Sequence, residues 1–153
     1  MIKVTINGAS GKMGTKVSNL IKNDSSLVEC FDDISCSDLV IDFSQPSSTK
    51  TILKKCVAAK KPIIIGTTGF TNDDLNEIRE AANLIPIVLA ANMSRGMIYL
   101  KKSLASFIHH NQDKLRCFIE ETHHLEKVDK PSGTAIELKK FIESCKGLDS
   151  EKV

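Results

Sequence analysis

Gly8, Gly11 and Gly14 stand at three-residue spacing between two patterns of different period. Before them Ile2, Val4 and Ile6 lie in a short β-rich run ending at Asn7. After them Met13, Val17, Leu20 and Ile21 recur at helical spacing. A strand that turns through three glycines straight into a helix restricts the chain to very few folds. The turn must be tight, and the helix start behind it offers backbone N–H groups to an anion. Gly8-x-x-Gly11-x-x-Gly14 is a spaced variant of the dinucleotide-binding fingerprint, in the context that fingerprint requires.

The rest of the first half continues the alternation. Residues 27–31 predict a second strand and residues 32–38 a connection too short for a helix. Leu39-Val40-Ile41-Asp42-Phe43 predicts a buried strand, and Ser44-Gln45-Pro46 opens a helix carrying Ile52, Leu53, Cys56 and Val57 on one face. Pro62-Ile63-Ile64-Ile65 predicts a strand ending at Gly66-Thr67-Thr68-Gly69. Thr71 and Asp74 form a capping-box pattern ahead of Leu75, Ile78 and Ala82. Pro86-Ile87-Val88-Leu89 predicts a further strand. Short all-apolar strands alternating with helices indicate an α/β chain with a Rossmann-like, doubly wound parallel sheet. Such sheets bind ligands beyond the carboxyl ends of their strands, where the polar turns lie here.

The pattern changes near residue 92, which divides a dinucleotide-binding domain, 1–92, from a partial substrate-binding and catalytic domain, 93–153. The second part predicts a longer helix with Met97, Leu100, Leu104, Phe107 and Ile108. A strand of alternating character follows at Leu115, Cys117 and Ile119. A last helix carries Leu138, Phe141, Ile142 and Cys145, with Gly147 as its stop. One strand leaves its backbone unpaired, so this part reads as an incomplete α+β domain.

A net charge of +2 in 153 residues, with one tyrosine and no tryptophan, gives no sign of a nucleic-acid partner. No apolar run reaches membrane-spanning length, and no signal peptide is visible. Five cysteines without a C-x-x-C pair suggest free thiols in a reducing cytoplasm rather than a disulfide framework or zinc cage.

The chemistry concentrates between residues 120 and 135. His123, His124 and Lys127 precede Pro131, which separates the flanking elements, and Ser132 suits a helix N-cap. This arrangement offers a general acid and a cradle for an acidic substrate at Ser132, Gly133 and Thr134. A metal site is disfavoured, because adjacent histidines on a strand point to opposite faces and no H-E-x-x-H spacing occurs. The acid that binds an adenosine ribose should close the second strand. Glu29, Asp32 and Asp33 all lie near that point, and Asp32 is the choice. Lys12 could instead meet a 2′-phosphate, so NADH and NADPH both stay open.

Glu121-Thr122-His123-His124 with Lys127-Val128-Asp129-Lys130-Pro131-Ser132-Gly133-Thr134-Ala135 resembles the signature of the 4-hydroxy-tetrahydrodipicolinate reductase family. Residues 8–14, 40–44, 66–69 and 92–94 agree with that family in order, and the resemblance covers nearly the whole chain. It implies an NADH- or NADPH-dependent oxidoreductase of diaminopimelate and lysine biosynthesis, acting on a small dicarboxylate imine. By the resemblance, Gly8, Ala9, Ser10, Gly11, Lys12 and Met13 would hold the cofactor pyrophosphate. Gly66, Thr67 and Thr68 would line the nicotinamide ribose, and Ala90, Ala91, Asn92 and Met93 would close the cofactor site. His123 would be the proton donor or acceptor and Lys127 a second donor, with His124, Gly133 and Thr134 holding the substrate. Lys12 stands where the family usually has arginine, Ala91 replaces a common proline and Arg95 a usual aliphatic residue. Family members continue beyond Val153 with further strands and closing helices that also build a homotetramer interface. The chain is therefore expected to be C-terminally truncated, with that interface largely missing and catalysis weakened.

Overall fold

The computed structural model describes residues 1–31, 33–111, 115–123, 125 and 130–145. Two compact units are present, Met1–Ala90 and Ala91–Val153. In the first, β1 (Ile2–Asn7) leads through the glycine turn into α1 (Lys12–Lys22) and β2 (Leu27–Glu29). A 3₁₀ turn (Ile34–Cys36) precedes β3 (Leu39–Asp42), α2 (Pro46–Ala59), β4 (Ile63–Ile65), α3 (Asn72–Ala81) and β5 (Ile87–Leu89). All strand pairs are parallel, in the order β2-β1-β3-β4-β5. The order reverses between β1 and β3, and the turns after those two strands lie at that switch point.

Period-two alternation distributes the core over both faces of the sheet. Val40 packs in one cluster with Leu53, Cys56, Ile63, Ile65 and Ile78. Its neighbour Ile41 packs against the other, formed by Val4, Ile6 and Ile21. Successive strand residues face opposite ways, so α1 covers one face, and α2 and α3 the other. Local chemistry sets the helix starts. Pro46 occupies the first turn of α2, where its missing N–H costs nothing. Thr71 and Asp74 form the capping box of α3, with Asp74 N donating to Thr71 Oγ1 at 3.2 Å and Thr71 N donating to Asp74 Oδ2 at 3.0 Å. Lys50 of α2 then bridges to Asp74 and Glu77 of α3, each at 3.0 Å.

The second unit contains α4 (Arg95–Asn111) and α5 (Gly133–Ser144). Ile108 and Ile142 are its buried centre, surrounded by Leu104, Leu115, Cys117, Ile119, Leu138, Phe141 and Cys145. Lys101 of α4 pairs with Glu137 of α5 and lies 5.8 Å from the Phe141 ring centroid. The strand expected at 115–119 is not formed, although its alternation holds: Leu115, Cys117 and Ile119 turn to the core while Phe118 is 90% exposed. Alternation decides which side chains bury, but a strand also needs a partner to receive its backbone hydrogen bonds, and this segment has none among the described residues. The expected stop at Gly147 lies outside the described residues.

Candidate cofactor turn and acid–base cluster

The glycine turn is built by backbone proximity. Gly8 adopts φ +87°, and a Cβ there would lie 2.5 Å from the Phe43 carbonyl oxygen. Gly11 N donates to Gly8 O at 3.0 Å, closing the turn. Gly14 packs so tightly on the Gly8 carbonyl that no side chain fits between them. Gly11 caps α1 without a side chain, and no acid lies in the first helical turn. Neither a side-chain cap nor an acid of the first turn answers the N–H groups at the start of α1. Ser10, Gly11, Lys12 and Met13 are exposed there, and Ala9 O accepts from Thr15 Oγ1 at 3.2 Å. These residues suit a diphosphate.

At the end of β2, Glu29 Oε2 accepts a hydrogen bond from Ser18 of α1. Asp33 caps the 3₁₀ turn and accepts from Ser35 Oγ at 2.8 Å. Asp32 lies outside the described residues. Beyond β4, Gly66 packs flat against the Phe43 ring, with no room for a Cβ. Thr68 is exposed, whereas Thr67 is only 5% exposed and turns its hydroxyl inward to Asp42. Asp42 was not singled out by sequence reasoning as a site residue, yet it is fully buried and gathers Asn7, Ser44, Thr49 and Thr67. The only available signal was a carboxylate ending an otherwise apolar strand.

In the second unit Glu121 is the connector. Its carboxylate accepts from Ser132 N at 2.7 Å, from Ser132 Oγ at 2.5 Å and from His123 Nε2 at 2.8 Å. The two bonds from Ser132, and then His123, hold the Glu121 carboxyl down at about 2. An ionised acceptor places the hydrogen on Nε2 of His123, which leaves Nδ1, without a hydrogen-bond partner among the described residues, as the other nitrogen for chemistry. Ser132 Oγ also accepts from Ala135 N at 3.0 Å, the expected N-cap bond. The amide and hydroxyl of Ser132 are thus spent on Glu121, so the helix start offers an added anion chiefly its Gly133 and Thr134 amides. Asn92 Nδ2 donates to Thr134 Oγ1 at 3.1 Å, which joins a residue expected at the cofactor to one expected at the substrate. Asn92 Oδ1 accepts from Ser94 N at 2.8 Å. Ala91 and Met93 are exposed, and Ala90 N, in the first unit, donates to Ile65 O at 3.0 Å. His124 and Lys127 lie outside the described residues. Among the described residues no cluster of three or more His, Cys, Asp or Glu side chains could hold a metal ion.

Comparison with known proteins finds a family match in each half of the chain. Residues 24–93 match the family model described as dihydrodipicolinate reductase, N-terminus, and residues 96–152 match its C-terminus. A 4-hydroxy-tetrahydrodipicolinate reductase of Sulfurimonas denitrificans is 35% identical over 178 residues, covering 100% of this chain and 68% of the relative. The chain belongs to the dihydrodipicolinate reductase family. A Campylobacter jejuni family member is 36% identical over 165 residues, with 100% of this chain and 66% of the relative covered. One from Alkaliphilus oremlandii is 38% identical over 156 residues, covering 96% of the chain and 64% of the relative. The chain thus spans about two thirds of the length of these curated relatives. A solved structure, the dipicolinate-bound dihydrodipicolinate reductase from Paenisporosarcina sp. TG-14, shares the fold with a TM-score of 0.71 at 23% identity. It aligns with 95% of this chain and 66% of its own. The first unit is accordingly a family Rossmann domain of the kind that takes a pyridine nucleotide.

Proposed function

We propose that this chain carries out, or forms the main part of a protein that carries out, reduction of 4-hydroxy-tetrahydrodipicolinate to tetrahydrodipicolinate with NADH or NADPH. This is the reaction for which its relatives are named, and the family resemblance assigns it to diaminopimelate and L-lysine biosynthesis. In this reading residues 1–92 take the cofactor and residues 93–153 the substrate. The observation that carries the reading is His123 fixed by Glu121 beside the start of α5, which joins a proton-transfer group to an anion-binding helix terminus.

The reduced nicotinamide, when bound, supplies a hydride. The chain's own residues do the rest. The amides of Lys12 and Met13 hold the diphosphate, with Gly8, Ala9, Ser10 and Gly11 shaping the turn around it. Gly66, Thr67 and Thr68 flank the nicotinamide ribose, and Ala90, Ala91, Asn92 and Met93 complete the cofactor site. Asp32 takes the adenosine ribose and Lys12 any 2′-phosphate, while Glu29 accepts from Ser18. His123 gives a proton from Nδ1 to the nitrogen on which electron density develops, while Glu121 keeps Nε2–H and stabilises the imidazolium. Lys127 is a second cationic donor. His124 and the amides of Gly133 and Thr134 hold a substrate carboxylate, with Ser132 setting the helix start. The partner is a small dicarboxylate, the compartment the cytoplasm, and the longer family members assemble as homotetramers.

The test is a steady-state assay with freshly formed condensation product and each reduced nucleotide in turn, with His123→Gln alongside. Substrate-dependent nucleotide consumption that His123→Gln lowers by about 100-fold or more, in the range of general acid–base catalysis, is expected. Nucleotide binding with no consumption would assign the chain a nucleotide-binding role without catalysis. Undiminished turnover in His123→Gln would remove that residue from the mechanism.

A further inference from the structure

The hydroxyl of Thr67 is turned inward, with its proton and one lone pair already used. Ser44 N donates to Thr67 Oγ1 at 3.0 Å, and the hydroxyl donates onward to Asp42 Oδ2 at 3.0 Å. Asp42 Oδ2 also accepts from Thr49 Oγ1 at 2.5 Å. Its Oδ1 accepts from Asn7 Nδ2 at 2.7 Å and from Ser44 Oγ at 2.5 Å. Asn7 ends β1, Ser44 follows β3, Thr49 lies in α2 and Thr67 follows β4. One carboxylate with no solvent exposure therefore ties together the turns that border the ligand edge of the sheet. Among the described residues, no buried side-chain nitrogen or oxygen is left without a partner, so the network is closed.

A buried ionic group is a poor device for stability alone, since apolar residues of the same volume would avoid its desolvation. What such a network provides is direction: each donor is aimed and each turn has one allowed position. The strand order says which ligand group that position concerns. The glycine turn after β1 marks the switch point, and the β2 side takes the adenosine of a dinucleotide. The β3–β4 side, where Thr67 lies, is left for the other half.

We propose that Asp42 is a positioning residue for the nicotinamide half of the cofactor, acting through Thr67 on the Gly66–Thr68 turn. The proposal rests on the reading above that a dinucleotide binds this unit. Asp42 touches no ligand. It holds the Thr67 hydroxyl inward, which fixes the backbone of the turn and leaves Thr68 outward.

Calorimetry on the whole chain tests this with two ligands, the reduced dinucleotide and ADP, which lacks the nicotinamide half. Thr67→Val removes the hydroxyl at nearly constant volume, Thr67→Ser keeps it, and Asp42→Asn removes the charge. Thr67→Val is expected to weaken the dinucleotide about tenfold, as for loss of a bond to a charged group, with ADP affinity changed by less than about twofold. Thr67→Ser restores the dinucleotide affinity, and a folded Asp42→Asn shows the same split as Thr67→Val. If Asp42→Asn does not fold, the two Thr67 variants decide. Equal weakening of both ligands, or equal weakening by Thr67→Val and Thr67→Ser, overturns the proposal. If the unaltered chain binds neither ligand, the nucleotide reading falls and this proposal with it.

Discussion

Gly8 and Gly69 share nearly the same backbone angle, φ +87° and +86°, but differ in surroundings. A Cβ on Gly69 meets only Pro46 Cγ, at 4.0 Å, whereas one on Gly8 lies 2.5 Å from Phe43 O and 3.1 Å from Ser44 Cα. Gly69→Ala therefore measures the left-handed strain alone, about 1–2 kcal/mol. Gly8→Ala adds an overlap with backbone, which cannot rotate away as a side chain would, for about 1–3 kcal/mol more. With a urea m-value of about 1.5 kcal/mol/M for a domain of this size, Gly69→Ala lowers the unfolding midpoint by about 1 M and Gly8→Ala by about 1.3–3.3 M. The top of that range, about 5 kcal/mol, equals the whole stability of a marginal domain. Far-UV circular dichroism against urea reads both variants, with a constant m-value required for the comparison. Equal shifts would refute the reasoning, since the contact with the Phe43 carbonyl would then carry no energy.

Glu121 supplies a pH signature. Its folded carboxyl is held at about 2 against an ordinary 4.5, so its contribution to stability is complete above about 4.5 and is lost as pH falls towards 2. Thermal melting between those values should show an acid limb that is shallower in Glu121→Gln; an unchanged limb would place the lost stability elsewhere. Cys56 is fully buried, and burial, then the nearby Asp42, push its thiol up from 9.0 to about 11. Iodoacetamide at mildly alkaline pH should modify exposed Cys36 well before Cys56, as read by mass spectrometry, and early labelling of Cys56 would contradict the packing beneath β3 and β4.

Much of the first unit was legible because its signals are local. A glycine turn between a period-two and a period-3.6 pattern, Pro46 at a helix start, the Thr71–Asp74 box and the Ser132 cap each span a few residues, and each is found as expected. The limits of local reading appear where a group's partner is distant. Residues 115–119 alternate as a strand should, but alternation does not supply a neighbouring ladder. Thr67 reads as a hydroxyl facing a ligand, and only the packing of β3 against β4 reveals the carboxylate that claims it. Ser132 reads as part of an anion cradle, and only the fold brings Glu121 onto its amide and hydroxyl.

By itself the sequence determined the alternation of elements, the glycine turn, the family and the capped helix start at Ser132. These rest on period, spacing and residue chemistry, which are properties of short stretches. The tertiary structure alone decided the strand order, the burial of Asp42 under the turns it joins, and the meeting of Ser132 with the Glu121 carboxylate. Those depend on which distant groups meet once water is excluded, and a hydrogen bond between residues 25 or 35 positions apart leaves no periodic trace in the chain.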